Sequence, residues 1–193
     1  MVRRRFDRNE VVFHQGDPGN TFHVIESGWF LVHVLTPDGD RVGMTIEGPG
    51  DVFGELALLQ PGGVRSATVK ALRAAVTLSL DVDQFAQLRS RQPEIDRFLV
   101  ALLASRVDRL TNQLAETAWM AADKRVCRQL QRLSAVFDGG PILLRQAEIA
   151  SLVQTTRPTV SSVLGQLKDD GIVETGRGYV VVVDPDGLRR RAQ

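Results

Sequence analysis

Hydrophobic positions change their period along the chain, and the changes mark its organisation. From Asn9 to about Val82, short runs rich in β-branched and aromatic residues (VVFH, TFHVIESG, WFLVHVL, RVGMTI) are separated by glycine turns. Strands so spaced predict a small sandwich or barrel, with Gly16, Gly28, Gly39, Gly48 and Gly50 at the turns. After Val82 the period lengthens. Asp83 to Leu88 predicts a short helix, and Gln92-Pro93-Glu94 opens a long one that meets no proline or glycine before Met120. Its Val100, Leu103, Val107, Leu110, Leu114, Thr117 and Ala121 alternate steps of three and four, the seam of a coiled coil. Ala101, Leu102 and Met120 widen that face, so one side is expected on the chain's own sheet and the seam against a second copy.

Ala121-Ala122-Asp123 interrupts the seam, and Asp123 is expected to cap a further helix, KRVCRQLQRLSAVF, ending at Asp138-Gly139-Gly140. Beyond this hinge, Gln146 to Leu152 predicts a helix, Val153-Gln154-Thr155 a turn, and Thr156 the cap of a second helix with Pro158 in its first turn. Val160, Val163, Leu164 and Leu167 recur at i, i+3, i+4 and i+7 and pack inward. The outward side carries Arg157, Thr159, Ser161, Ser162 and Gln166, with Thr155 and Thr156 at its start, as on a helix that reads a DNA major groove. Gly171 ends the helix, and Gly176-Arg177-Gly178 turns into a strand, Tyr179 to Val183, as a wing that brings Arg177 to the same interface.

Charge supports that division. Residues 1–123 hold 13 basic and 16 acidic side chains, whereas 124–193 hold 11 basic and 7 acidic, a balance of −3 against +4. A modest basic excess in the last third suits a phosphate backbone. Composition is that of an ordinary soluble protein, with 43% hydrophobic and 24% charged residues among 193. No apolar run approaches the roughly 20 residues needed to cross a bilayer, and MVRRRFDRNE lacks a secretion signal's apolar segment, so a cytoplasmic protein without membrane contact is expected. The single Cys127 excludes an internal disulfide and a cluster held by four cysteines, and a buried apolar role is expected for it. His14, His23 and His33 lie on separate strands without metal-ligand spacing, and no metal site is expected.

The chemistry concentrates in Phe53 to Val69, FGELALLQPGGVRSATV. Gly54 lets the backbone approach a ligand, a helix start at Glu55-Leu56 offers unpaired N–H groups to an anion, and Arg65 can grip the same anion through two parallel hydrogen bonds. Glu55 can accept from a hydroxyl. The whole string resembles the phosphate-binding cassette of cyclic-nucleotide-binding domains. With its ten-residue step from Glu55 to Arg65 and Ser66-Ala67 following, it is similar to members of the Crp/Fnr family of transcription regulators.

That resemblance implies an α+β fold: an N-terminal double-stranded β-roll (1–91), a dimerisation helix (92–121) and a C-terminal winged helix-turn-helix (122–193). It implies a homodimer on a palindromic double-stranded operator, RNA polymerase as a further partner, and cAMP as effector rather than catalytic cofactor. Gly54, Glu55, Leu56, Arg65 and Ser66 would hold the sugar-phosphate, and Thr111 and Asn112 the base. Leu110 stands where the family carries a base-contacting threonine, and Thr111 where it carries a serine. Arg157 falls on the family's guanine-reading arginine, whereas Pro158 and Ser162 replace a glutamate and a second arginine, so a different operator sequence is expected. Family members usually carry an N-terminal helical segment; MVRRRFDR fits the tail of one, shortened by truncation or by start-site assignment.

Two other readings compete. The fold can bind DNA without a ligand switch, the cassette being vestigial or differently liganded. Alternatively Glu55 is the general base of a phosphodiesterase, which the lack of a second acid or metal cluster in the sequence argues against. No catalytic residue is assigned.

Overall fold

The computed structural model describes residues 1–38, 41–60 and 62–193, so Gly39 and Asp40 of the predicted turn lie outside the described residues. It divides into two units: Met1–Asp40 with Thr45–Asn112, and Arg41–Met44 with Gln113–Gln193.

The first unit contains two four-stranded sheets. One has the order β1 (Val2–Phe6), β8 (Ala75–Asp81), β3 (Thr21–Ser27), β6 (Val52–Phe53). The other runs β2 (Val11–Phe13), β7 (Thr68–Ala71), β4 (Phe30–Leu35), β5 (Arg41–Glu47). The two-residue period of β3 decides what each face meets. Ile25 points between the sheets with Phe6, Phe30, Phe53, Val69, Ala71 and Ala75. Phe22 points the other way, with Val52 and Leu80, onto Phe85 of α2 (Val82–Arg91) and Leu99 of α3 (Glu94–Trp119). Phe22 and Phe85 stack at 5.2 Å. Asp81 starts α2 by accepting from the Gln84 N–H at 2.8 Å, one half of a capping box.

Two local expectations change. The N-terminal arginines form no helix tail: Val2–Phe6 is an edge strand, antiparallel to β8 from Val2↔Ser79 to Phe6↔Ala75. Its alternation was hidden because Arg3, Arg4 and Arg5 are all exposed, and charged side chains are a common protection of a sheet edge. Asp123 does not cap α4 (Ala122–Val136); it sits in the first turn behind Ala121, where a carboxylate favours the helix dipole without a capping bond.

In the second unit α4, α5 (Gln146–Leu152) and α6 (Arg157–Asp169) bury Val126, Leu130, Leu133, Ile149, Val160, Val163, Leu164 and Leu167 in one core. Cys127 is buried there too, and burial pushes its thiol up to about 11, which leaves it unreactive at neutral pH. The hairpin β9 (Val173–Gly176) and β10 (Tyr179–Val182) closes the core, and Ile142 bridges to Val180. A terminal helix α7 (Pro185–Arg191), not anticipated from the sequence, adds Leu188. No helix among the described residues is long and apolar enough to cross a membrane.

Besides Leu99, with Ile95 and Leu102 packed around it, α3 turns charged residues inward. Arg109 donates to Thr45 Oγ1 at 3.0 Å and to Glu47 Oε1 at 3.3 Å, tying α3 to β5 inside the first unit. Burial pushes the Glu47 carboxyl up to about 7, although the Arg109 guanidinium pulls it down. A group whose folded pKa is raised contributes stability below its unfolded pKa and loses it as pH rises through the folded value. Urea midpoints of the native protein should therefore fall, relative to Glu47→Gln, as pH rises from 4.5 through about 7. Equal slopes for the two proteins would refute this. In the second unit Gln154 takes φ 51°, a left-handed conformation that disfavours any residue with a Cβ. Gln154→Gly should raise stability by about 0.5–1 kcal/mol, read from the shift in urea midpoint.

Candidate functional site

The cassette begins where β6 ends. Gly54 takes φ 87° at the N-cap of α1 (Glu55–Leu59), and a Cβ there would lie 2.6 Å from Arg65 Nη1 and 2.7 Å from the Thr21 carbonyl. Only glycine fits. Because α1 has five residues, its first N–H groups act as individual donors rather than as the end of a macrodipole. The returning loop is zipped onto the segment before β3, Arg65 N–H donating to Asp17 O at 2.9 Å and Gly19 N–H to Gly63 O at 2.7 Å.

Two charged side chains are buried in this frame, Glu55 at 1% exposure and Arg65 at 4%. Arg106 of α3 donates from Nη1 to Glu55 Oε1 and from Nη2 to the Val52 carbonyl at 2.7 Å. The Arg65 guanidinium lies 4.0 Å above the Phe13 ring. Its Nη1 donates to Thr21 O at 2.8 Å and Gly54 O at 3.1 Å, and its Nη2 to Thr21 Oγ1 at 2.7 Å. Burial lowers the Arg65 pKa, while Asp17 and Glu55 raise it. The two end nitrogens are thus anchored to the protein. What remains is the other edge, led by Nε.

Three buried polar atoms here have no hydrogen-bond partner among the described residues: Glu55 Oε2, Arg65 Nε and Arg106 Nε. Each such atom costs about 1–3 kcal/mol when left unmade. Together they present an acceptor and two cationic donors, the complement of a sugar hydroxyl beside an anion.

The structure brings Gly54, Glu55, Leu56 and Arg65 together, with Ser66 exposed on the same loop. Thr111 and Asn112 are not drawn into that set: both are exposed, and the Thr111 hydroxyl donates to the Val107 carbonyl at 2.9 Å. Arg106 and Arg109 were missed. The available signal was their spacing, since Arg106, Arg109 and Gln113 recur at i, i+3 and i+7 on a stripe beside the apolar seam. On the seam itself Val100, Val107 and Leu114 are 61–71% exposed in the single chain.

In the second unit, Arg157, Ser161, Ser162 and Gln166 are exposed along α6, and Arg177 is exposed at the wing turn. Thr155 and Thr159 are half-buried. Thr156 is committed to capping, accepting from the Thr159 N–H at 3.3 Å and pairing with its hydroxyl at 2.9 Å. A cleft of about 430 Å³ between the start of α5, Arg157 and the wing is lined by Arg145, Gln146, Thr175 and Tyr179. Two arginines and a tyrosine hydroxyl around one helix start are the donors that phosphate oxygens and base edges accept from. Among the described residues no three His, Cys, Asp or Glu side chains come together as metal ligands.

Residues 3–92 match the cyclic nucleotide-binding domain family, and residues 124–191 the Crp-like helix-turn-helix domain. A CRP-like cAMP-activated global transcriptional regulator of Mycobacterium tuberculosis is 33% identical, the match covering 97% of this chain and 87% of that protein. A cyclic AMP receptor protein of Thermus thermophilus is also 33% identical, over 93% and 83% of the two chains. Among solved structures, a CRP-family transcriptional regulator of Thermus thermophilus superposes with a TM-score of 0.83 at 28% identity, over 98% of this chain and 96% of that one. A nucleotide-type cassette in a β-roll, a long helix and an exposed reading helix thus occur here in the order that these relatives share, and the chain belongs to the Crp/Fnr family of transcription regulators.

Proposed function

We propose that the chain is a homodimeric regulator whose operator affinity is set by cAMP bound in the β-roll. The observation that carries this reading is the trio of partnerless buried atoms on Glu55, Arg65 and Arg106. Glu55 Oε2 accepts from the ribose 2′-hydroxyl. Arg65 presents Nε, with the Gly54–Leu56 backbone and Ser66, to the cyclic phosphate. Thr111 and Asn112, exposed beside the seam, reach a base from the same or the partner subunit.

Residues 1–91 form the sensor roll, 92–121 the dimerisation helix and 122–193 the winged helix-turn-helix. The exposure of the apolar Val100, Val107 and Leu114 in the single chain supports the dimer, in which a second copy covers them. A two-fold dimer places two reading helices on half-sites about one DNA turn apart, and the ligand acts by binding one arrangement of the dimer more tightly than the other. RNA polymerase is the partner at the promoter, and the cytoplasm is the compartment. No catalytic role is assigned to Glu55, whose Oε1 is held by Arg106.

One observation favours a second reading. Glu55 and Arg65 already bond protein groups, so the cassette can stay folded empty and the regulator can act without a nucleotide. Isothermal titration separates the two. Under the leading reading cAMP binds with micromolar affinity, the signal disappears in Arg65→Ala, and Glu55→Ala weakens it by about tenfold or more, the loss of a hydrogen bond to a charged group. Absence of cAMP and cGMP binding to a folded dimer, with operator affinity unchanged by either, establishes the second. On DNA, Arg157→Ala should relax base preference at one position of each half-site, with a loss of about 1–3 kcal/mol measured by operator-variant gel shifts. A uniform loss over all sequences would assign Arg157 to the backbone instead.

A further inference from the structure

His23 lies among the phenylalanines between the sheets and leads directly to Arg65. His23 is 1% exposed and stacks on Phe53 with ring centres 4.9 Å apart and planes 13° from parallel. Phe6 and Phe13 flank it at 6.4 and 6.3 Å. A phenylalanine would satisfy that packing. The imidazole instead makes two hydrogen bonds, Nδ1 with Thr77 Oγ1 at 3.1 Å and Nε2 with Thr21 Oγ1 at 3.0 Å. The same Thr21 oxygen accepts from Arg65 Nη2.

A threonine hydroxyl has one proton and two lone pairs. To accept from a guanidinium it must direct its proton elsewhere, and His23 Nε2 is the acceptor within reach. Nδ1 then carries the ring proton and donates to Thr77, which is wholly buried on β8. One order of donors makes all three contacts: Arg65 Nη2–H to Thr21 Oγ1, Thr21 O–H to His23 Nε2, and His23 Nδ1–H to Thr77 Oγ1. Burial, helped by the charges of Arg65 and Arg4, pushes His23 down to about 4, which agrees with a neutral ring.

We propose that His23 is the positioning residue of the phosphate-binding arginine, holding the Thr21 hydroxyl in the rotamer that accepts from Arg65 and so keeping the Nε edge turned to the effector. The proposal rests on the reading of Arg65 as the phosphate ligand. Thr21 supplies two of the guanidinium's three anchors, carbonyl and hydroxyl. The carbonyl is fixed by the sheet. The hydroxyl is a rotor, and a rotor is oriented only by what it donates to.

The test is titration of the full-length protein with cAMP, with thermal unfolding run in parallel. His23→Phe keeps the ring stack and should weaken cAMP about tenfold, the scale of one hydrogen bond to a charged group. His23→Gln, whose amide oxygen can accept from Thr21, should restore most of the affinity. In a Thr21→Val background His23→Phe should have no further effect, since the link is already cut. Wild-type affinity in a folded His23→Phe, or additive losses in the cycle, overturns the proposal. Loss of affinity in both His23 variants in proportion to lost thermal stability also overturns it, as a purely structural role. Failure of Arg65→Ala to weaken cAMP overturns the underlying reading instead. Nitrogen NMR of the ring then tests the relay without any nucleotide: a neutral His23 protonated on Nδ1 is expected, and a ring protonated on Nε2 refutes it.

Discussion

A buried guanidinium must be bonded on every edge, and the first unit is arranged around how far Arg65 meets that requirement. Two strands, a glycine and an aromatic face converge on it: Thr21 at the start of β3, Gly54 at the end of β6, and Phe13 beneath the plane. Holding the end nitrogens inside costs the desolvation of a charge, offset by short charge-assisted bonds. It leaves Nε without a partner among the described residues. The same logic holds for Glu55, one oxygen bound to Arg106 and the other waiting. These groups are half-satisfied by the protein itself, so a ligand completes an existing lattice of bonds instead of building one.

Because Arg106 and Arg109 meet Glu55 and Glu47, the inner side of α3 is joined to the cassette and to β5 by charge, in addition to the apolar packing of Leu99 at its start. An apolar interface would tolerate gradual sliding. Ion pairs with buried carboxylates do not, since a displaced guanidinium leaves an uncompensated charge. The opposite side of α3 keeps its apolar seam exposed, so the helix presents aliphatic residues outward as well as towards the body.

Periodicity and turn chemistry were legible where a segment's partner is near in sequence or where steric need is absolute. Gln146–Leu152 and the cap at Thr156 were read to the residue, and Gly54 was recognised as the point of close approach. What was not legible depends on distant partners. The arginines of β1 fit the tail of a helical segment until β8 is beside them, more than 70 residues away. Arg106 reads as a surface charge until Glu55 is buried opposite. Arg65 was expected to turn both nitrogens of its fork to a phosphate; its end edge faces Thr21 and Gly54 instead, an outcome set by two carbonyls on other elements.

The pairing of β1 with β8 also bears on the order in which the chain can fold. The first five residues of the roll have no place to go until Ala75–Asp81 has been made, because their hydrogen bonds lie on that strand alone. Closing so long a loop is entropically slow, and meanwhile the β8 edge stands open to any extended segment. A tail bearing Arg3, Arg4 and Arg5 remains soluble during that wait and then seals the edge with a strand whose outer face repels another. The strand that precedes the rest of the roll is thereby among the last to be incorporated, and its charge guards the edge that it finally closes.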